Sequence, residues 1–308
     1  MRRALRVTAW TVVLAGAAAP LARKRIRMPP AAVLGAAAAA PVALCVVVPR
    51  SRVRDVATVA LQMWAYLAAY ELPNDDPERH AARVRVRYPI VADRILGLGR
   101  PLSVRLQRRF SDPARFSPVE KVLVWAHWLW FFVPHGTVAY VFAFRRERLE
   151  RTAILTYAVF DLGAIVYWLV PTAPPWYAAQ RGLLDDGRAP RVRRMMIEYG
   201  EQFWGDRWTS LYDALAGNPL AAMPSLHFAT SVNAAHLLAE VGPVEGAVGW
   251  AYALTLGTAL VYLGEHYVID LLAGLALTEA VRRSEPVAAP LLARFSRGMQ
   301  ALEARARS

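Results

Sequence analysis

Two side chains near the end of the sequence could together perform nucleophilic chemistry. His266 and Asp270 lie four residues apart, and in a helix this spacing puts both on one face, one turn apart. A carboxylate in that position can accept the Nδ1 proton of the imidazole, which leaves Nε2 with a lone pair for attack. The pair could instead serve packing alone, but both groups are costly at the edge of a hydrocarbon layer and so indicate function.

A second histidine, His227, follows Pro224 and Ser225. Proline suits the first turn of a helix, and serine suits its cap. The beginning of a helix presents free backbone N–H groups and the positive end of its dipole, which together favour an anion. We therefore expect His227 and Ser225 to lie within reach of a phosphate group, although His227 could also be an ordinary side chain of the membrane interface.

A third stretch is rich in proline and reads Pro-Thr-Ala-Pro-Pro-Trp, beginning at Pro171. Proline cannot continue a helix, so this stretch ends the apolar run before it. Trp176, at its far end, suits the boundary between membrane and water. The stretch either forms one wall of a pocket or only shapes the loop.

Long apolar runs must position these residues. Hydrophobic residues make up 56% of the chain, and several runs approach the 20 residues that cross a bilayer as a helix. Two shorter runs come first, at 7–21 and 31–48; the former reads equally as a signal peptide or as an uncleaved anchor. The firmer spans are predicted at about 53–72, 119–144, 152–170, 223–241, 244–263 and 266–281.

These runs predict an all-α, polytopic membrane helix bundle with a six-helix core and one or two extra N-terminal hydrophobic segments. Residues 1–48 would form the N-terminal anchor, residues 49–283 the membrane-embedded catalytic core, and residues 284–308 a basic cytoplasmic tail. The polar stretch at 73–118 has apolar residues at helical spacing, which predicts interfacial helices lying on the bilayer.

The basic residues indicate orientation rather than nucleic-acid binding. The formal charge is +13, but the arginines lie at the ends of apolar runs and in one amphipathic stretch, without a recognition motif around them. The basic loop at 145–151 should be cytoplasmic, which places the loop at 171–222 outside. We therefore expect an integral protein of a bacterial plasma membrane, with its active site on the outer face. The single cysteine, Cys45, permits no intramolecular disulfide.

Taken together, the stretches PTAPPW, AMPSLH and GEHYVIDLLAG resemble the type 2 phosphatidic acid phosphatase superfamily. They are most similar to the branch that holds inositol phosphorylceramide synthase and resembles sphingomyelin synthase, and the resemblance covers roughly residues 70–281. It implies a six-helix core and catalysis without metal or other cofactor. It further implies that His266 attacks phosphorus, Asp270 orients it, and His227 handles the proton of the leaving group.

Two positions depart from the wider superfamily. Leu260 replaces an arginine six residues before the nucleophilic histidine, and Leu226 replaces a glycine before the other catalytic histidine. Both departures point to the phosphotransferase branch. A developing phosphoryl dianion still needs positive charge, for which Arg193 and Arg194 of the outer loop are the candidates.

The function expected from these residues is transfer of a phosphoryl or phospho-headgroup from a lipid phosphate to a hydroxyl acceptor through a phosphohistidine. Three alternatives remain open. With water as acceptor the protein would be a lipid phosphate phosphatase. Two histidines and a carboxylate could instead bind zinc. The chain could also be a non-catalytic transporter or scaffold. The expected partners are a lipid phosphate, its acceptor and the membrane, with no nucleic acid.

Overall fold

The chain is built from helices. The computed structural model describes residues 2–184, 192–215 and 217–307, so part of the predicted outer loop, at 185–191 and 216, lies outside the described residues. Within the described ranges every regular element is an α-helix or a short 3-10 turn, which confirms the all-α prediction. The α-helices are α1 (Arg2–Ala22), α2 (Pro30–Val47), α3 (Arg52–Glu71), α4 (Pro77–Arg83), α5 (Arg87–Leu96), α6 (Leu102–Phe110), α7 (Pro118–Trp128), α8 (Phe132–Phe144), α9 (Leu149–Leu169), α10 (Pro175–Gln180), α11 (Met195–Trp204), α12 (Arg207–Leu215), α13 (Leu226–Ala239), α14 (Pro243–Tyr262) and α15 (Val268–Arg307).

Four helices in the described part of the chain are long and apolar enough to cross a membrane: α1, α2, α9 with the turn before it, and α14. A fifth span results if α7 and α8 are counted as one. The other predicted spans are helical but fall short by composition or length: α3 begins with Arg52, Arg54 and Asp55, and α13 has only 14 residues. The stretch at 73–118 contains three short helices, α4 to α6, and their position on the bilayer stays a prediction.

The predicted span at 119–144 is broken. Helices α7 and α8 meet at an angle of 58°, and the backbone between them makes tight turns, in which Trp130 N donates to His127 O at 3.1 Å and Val133 N to Trp130 O at 3.0 Å. Pro134 explains the break, because a continuous helix would need a hydrogen bond from its missing N–H to Trp130 O, and its ring would clash with that carbonyl. Non-helical backbone inside a membrane protein is tolerated where it lines a cavity.

The contacts divide the chain into two units, of which the first comprises Met1–Pro77 and Arg282–Ser308. Its helices α1 and α2 pack through small residues, because a Cβ added at Gly16 would lie 2.4 Å from Ala36 O. At the other end of this unit, the Glu303 carboxylate accepts from Arg54 at 2.9 Å and lies 3.5 Å from Arg50. The predicted domain boundaries at 48 and 283 stay a prediction.

The second unit, Glu78–Val281, contains all the residues marked by the three stretches. Helix α13 lies between α8, α9 and α14. Its first residue, Leu226, fits against the bare backbone of α9, where a Cβ added at Gly163 would lie 2.4 Å from the leucine side chain. This contact fixes the beginning of α13, and with it the position of His227.

Candidate functional site

A tight helix ending positions His266. Gly264 follows α14 with a φ of +82°, a left-handed conformation that favours glycine at the end of a helix. The amides of Glu265 and His266 then both donate to Leu260 O at 3.0 Å. A Cβ at Gly264 would also lie 2.9 Å from Arg193 O. The tight turn after α14 therefore places His266 just before the beginning of α15.

The structure brings Asp270 to the expected side of His266. The Asp270 Oδ2 atom lies 3.4 Å from His266 Nδ1 and accepts from the Tyr267 amide at 2.8 Å. The separation from Nδ1 is longer than an ordinary hydrogen bond, so the contact is chiefly electrostatic. Both side chains are buried, at 3% and 0% exposure. An imidazole held in this way keeps its proton on Nδ1 and presents Nε2 as the nucleophilic atom.

A second buried carboxylate supports this region from outside the three stretches. Asp93 Oδ1 accepts from the Val268 amide at 2.7 Å, and Oδ2 accepts from the Leu102 amide at 3.0 Å. Asp93 therefore caps the first turns of both α6 and α15 from α5. The pKa of this carboxyl lies above its usual range, because burial raises it by more than the backbone hydrogen bonds lower it. Nothing in the local sequence pattern marks Asp93, because both of its partners are remote in the chain.

His227 lies in the first turn of α13 and faces the proposed nucleophile. Its Nδ1 atom is 3.1 Å from His266 Nε2. Ser225 caps the helix, since its hydroxyl accepts from the Phe228 amide at 3.3 Å, and its own amide donates to Asp270 O at 2.9 Å. Whether the Ser225 hydroxyl also binds phosphate stays a prediction.

The proline-rich stretch ties the other two together. The hydroxyl of Tyr167, just before it, donates to Pro224 O at 2.8 Å, and the Trp176 amide donates to Gly264 O at 3.1 Å. Thr172 pairs its backbone with that of Leu220 and Ala222. The three stretches singled out in the sequence thus form one connected group, in which this stretch holds the loops that carry both histidines.

The broken span adds two rings that the sequence did not assign to the site. The rings of His127 and Trp130 lie 5.0 Å and 4.2 Å from that of His227, measured between centroids. Trp130 is held by a hydrogen bond from Nε1 to the Thr230 hydroxyl at 2.9 Å. His227 is therefore in contact with two aromatic side chains, His127 from the last turn of α7 and Trp130 from the turn between α7 and α8. Pro134, within the continuous apolar run, was the one signal in the sequence for a broken helix near these two rings.

The two candidate arginines have different surroundings. The Arg193 guanidinium donates to Glu198, to the Ser111 hydroxyl and to Asp112 O, at 2.7 to 3.0 Å. The Arg194 guanidinium donates to both oxygens of Glu265, at 3.0 and 3.4 Å, and lies 3.9 Å above the Trp176 ring. Because Glu265 precedes His266, Arg194 is held beside the proposed nucleophile. Phosphate binding by either arginine stays a prediction.

Comparison with known proteins identifies the family. Residues 93–281, more than half of the chain, match the PAP2 superfamily. The chain belongs to the PAP2 superfamily. This confirms the resemblance read from the three motifs, and it confirms the membrane character of the protein.

Two curated proteins are similar to this PAP2 chain. The phosphoinositol dihydroceramide synthase of Bacteroides thetaiotaomicron is 31% identical over 177 residues, which cover 48% of this chain and 55% of that protein. The inositol phosphorylceramide synthase catalytic subunit aur1 of Schizosaccharomyces pombe is 30% identical over 118 residues, which cover 37% of this chain and 27% of that protein. The chain thus matches about half of the first relative's length and less of the second's. No solved structure matches it.

Within this PAP2 chain, the two departures from the wider superfamily have clear structural settings. Leu260 is fully buried in an apolar cluster with Leu256 and Leu271, where an arginine would be a costly unpaired charge. Leu226 fills the space that Gly163 leaves on α9. Both leucine side chains are apolar and buried, so neither can donate a hydrogen bond to an anion.

Proposed function

We propose that this protein transfers a phosphoryl group, or a phosphoryl group with its headgroup, from a lipid phosphate to a hydroxyl acceptor. The observation that carries the proposal is the placement of His266 between a buried carboxylate, 3.4 Å from Nδ1, and a second histidine, 3.1 Å from Nε2. A buried nucleophile with an orienting group on one nitrogen and a proton donor near the other is the arrangement that two-step group transfer requires.

In the first half-reaction, the lone pair of His266 Nε2 attacks phosphorus. The bond from phosphorus to the leaving oxygen breaks, and that oxygen takes a proton from His227. In the second half-reaction, the acceptor hydroxyl gives its proton to His227 while its oxygen attacks phosphorus, and the phosphorus–nitrogen bond breaks. Asp270 stabilises the positive charge that the His266 ring carries while Nε2 is bonded to phosphorus. Because attacking and leaving atoms must lie roughly in line, we expect the two histidine rings to separate when a phosphate enters.

Positive charge beside the nucleophile supports phosphate as the reacting group. We propose that Arg194, held by Glu265 and stacked on Trp176, provides it in place of the arginine that Leu260 replaces. A guanidinium presents several donors to phosphate oxygens in fixed geometry. The matched variants Arg194→Lys and Arg194→Gln separate charge from geometry, and the glutamine variant should have the higher KM and the lower kcat.

Transfer to a lipid hydroxyl is favoured over hydrolysis by the replacements at Leu260 and Leu226 and by the names of the two relatives. Phosphatidylinositol as donor and a ceramide as acceptor are therefore the first substrates to test. The full chain, purified in detergent with added lipid, is incubated with fluorescent ceramide with and without the donor. A charged fluorescent product supports transfer, whereas release of free phosphoinositol without labelled product assigns hydrolysis.

Variants assign the chemistry to the site. His266→Ala should abolish turnover, because no other described side chain is both nucleophilic and paired with a buried carboxylate at this place. His236→Ala is the matched control, since His236 lies on α13, nine residues beyond His227, and pairs with Glu279 at 3.3 Å. Activity of His266→Ala within tenfold of wild type would remove His266 from the role of nucleophile.

The covalent intermediate and the role of metal need separate tests. Alkaline quenching of a reaction with labelled donor should leave label on the protein, and acid should release it, as expected of phosphohistidine. Among the described residues, no group of three or more His, Cys, Asp or Glu side chains is placed to hold a metal ion. Turnover should therefore survive prolonged treatment with chelators, and a loss that only zinc restores would favour the zinc alternative.

A further inference from the structure

His127 differs from the other five histidines of the chain in its polar contacts. His80 pairs with Asn218, His135 with Phe131 O, His236 with Glu279, and His227 with His266, which also faces Asp270. Both ring nitrogens of His127 are buried and have no hydrogen-bond partner among the described residues. A neutral imidazole carries one donor and one acceptor, and leaving a buried polar group unpaired costs about 1–3 kcal/mol.

The fold places this side chain at the reacting centre. His127 lies in the last turn of α7, one residue before the end of that helix, and its ring is 5.0 Å from that of His227 at an interplanar angle of 32°. His227 Nδ1 in turn lies 3.1 Å from His266 Nε2. The His227 ring therefore lies between the His127 ring and the atom proposed to attack phosphorus, which puts His127 beside the region where a phosphate would react.

We propose that His127 is a third histidine of the site, whose ring N–H donates to a non-bridging oxygen of the phosphoryl group. This inference rests on the proposed phosphoryl chemistry. The non-bridging oxygens gather negative charge during transfer and need donors that are already in place. Leu260 cannot supply one, whereas Arg194 is paired with Glu265, the residue before His266, and His127 lies against His227. A bound phosphate would give the unpaired nitrogen the partner that it lacks in the protein.

The alternative role is mechanical, in which the His127 ring only supports His227 by stacking. Two substitutions separate the roles. His127→Phe keeps an aromatic ring beside His227 and removes both nitrogens, whereas His127→Gln keeps an N–H donor and removes the ring. His236→Phe and His236→Gln are the matched controls, because that side chain lies further along α13 against Trp250.

The deciding measurement is the affinity of the full-length, detergent-purified protein for orthovanadate, which adopts the five-coordinate geometry of phosphoryl transfer. Binding is followed by the shift in melting temperature, and turnover is measured in parallel. We expect His127→Phe to weaken orthovanadate binding at least tenfold and to lower kcat about a hundredfold, as for loss of one donor to a developing oxyanion. His127→Gln should bind orthovanadate more tightly and have a higher kcat than His127→Phe. His127→Met serves the same purpose as the phenylalanine variant if the latter does not fold.

The proposal is overturned if His127→Phe binds orthovanadate as wild type does, or if His127→Gln binds it no better than His127→Phe. Failure of the proposed function gives a different pattern. It appears as an active His266→Ala variant, or as a wild-type protein that transfers no phosphoryl group, whatever the order of the His127 variants. If only the role of His127 is wrong, the His266→Ala variant is still inactive and the wild-type protein still transfers the phosphoryl group.

Discussion

Replacing Asp270 by asparagine removes one charge from the site while the structure dictates how the new amide must lie. The Tyr267 amide donates to Oδ2 at 2.8 Å, so the asparagine oxygen must occupy the Oδ2 position, because an NH2 group there would face another donor. His266 Nδ1 then still faces an acceptor at about the distance of 3.4 Å found in the protein. His266 therefore keeps its proton on Nδ1, and the interaction between the two side chains loses the negative charge.

The size of the effect follows from that distance. Two unit charges 3.4 Å apart attract by about 5 kcal/mol at an effective dielectric constant of about 20, and about 1.4 kcal/mol changes a rate tenfold. The attraction matters most after His266 has attacked phosphorus, when its ring is positive. We therefore expect Asp270→Asn to lower kcat about a thousandfold, which is less complete than the loss in His266→Ala.

The substitution should also reduce stability. Asp270 Oδ1 is buried without a hydrogen-bond partner among the described residues, and an NH2 group in its place would be an unpaired donor that costs about 1–3 kcal/mol. The assay measures turnover and the rate of phosphohistidine formation below the melting temperature. Asp112→Asn, at an exposed carboxylate paired with Arg115, is the control. A rate within tenfold of wild type, or a loss as complete as that of His266→Ala, would refute the reasoning.

Two further predictions concern orientation and support of the site. In a Cys45→Ala background, an impermeant thiol reagent added to intact cells should label a cysteine introduced at the exposed Gln180, or at Arg188, which lies outside the described residues. A cysteine introduced at Arg146 should be labelled only after the cells are opened. The reverse pattern would mean that the topology is inverted. Asp93→Asn should lower the melting temperature and should also lower kcat about tenfold, because at least one of its backbone N–H partners loses its acceptor. A variant unchanged in both quantities would show that the α15 cap is dispensable.

Local spacing was sufficient to predict the relative placement of His266 and Asp270 and the beginning of the helix that carries His227. His266 and Asp270 are four residues apart and do lie side by side, although α15 begins only at Val268, and Ser225 two residues before His227 predicts the capped helix that begins at Leu226. Each inference depends on the geometry of a single turn, which neighbouring residues determine. The apolar runs predicted the helices for a related reason, since a bilayer forces a continuous apolar segment to satisfy its own backbone.

Hydropathy alone predicted one helix at 119–144, where the structure has two, α7 and α8. Hydropathy is continuous from 119 to 144, so a single helix was predicted, although Pro134 was visible within it. Proline acts four residues upstream, at Trp130, and this displacement puts His127 at the end of a helix instead of in its middle. The break could be predicted from the sequence, but the approach of His127 to His227 could not, because it depends on how two helices pack.

Positive charge at the site is the feature that local pattern was least able to predict. Glu265 stands beside His266 in the sequence and looks structural when considered alone, but its partner is Arg194, 71 residues earlier. An arginine at position 260 would lie six residues before His266 on α14, so its position relative to His266 would follow from the helix and the turn alone. Arg194, at the start of α11, is instead held by Glu265, the residue before the proposed nucleophile. The proposed phosphate-binding charge and the proposed nucleophile are therefore coupled through one peptide bond, so any movement of the Gly264 turn that displaces His266 should displace Arg194 with it.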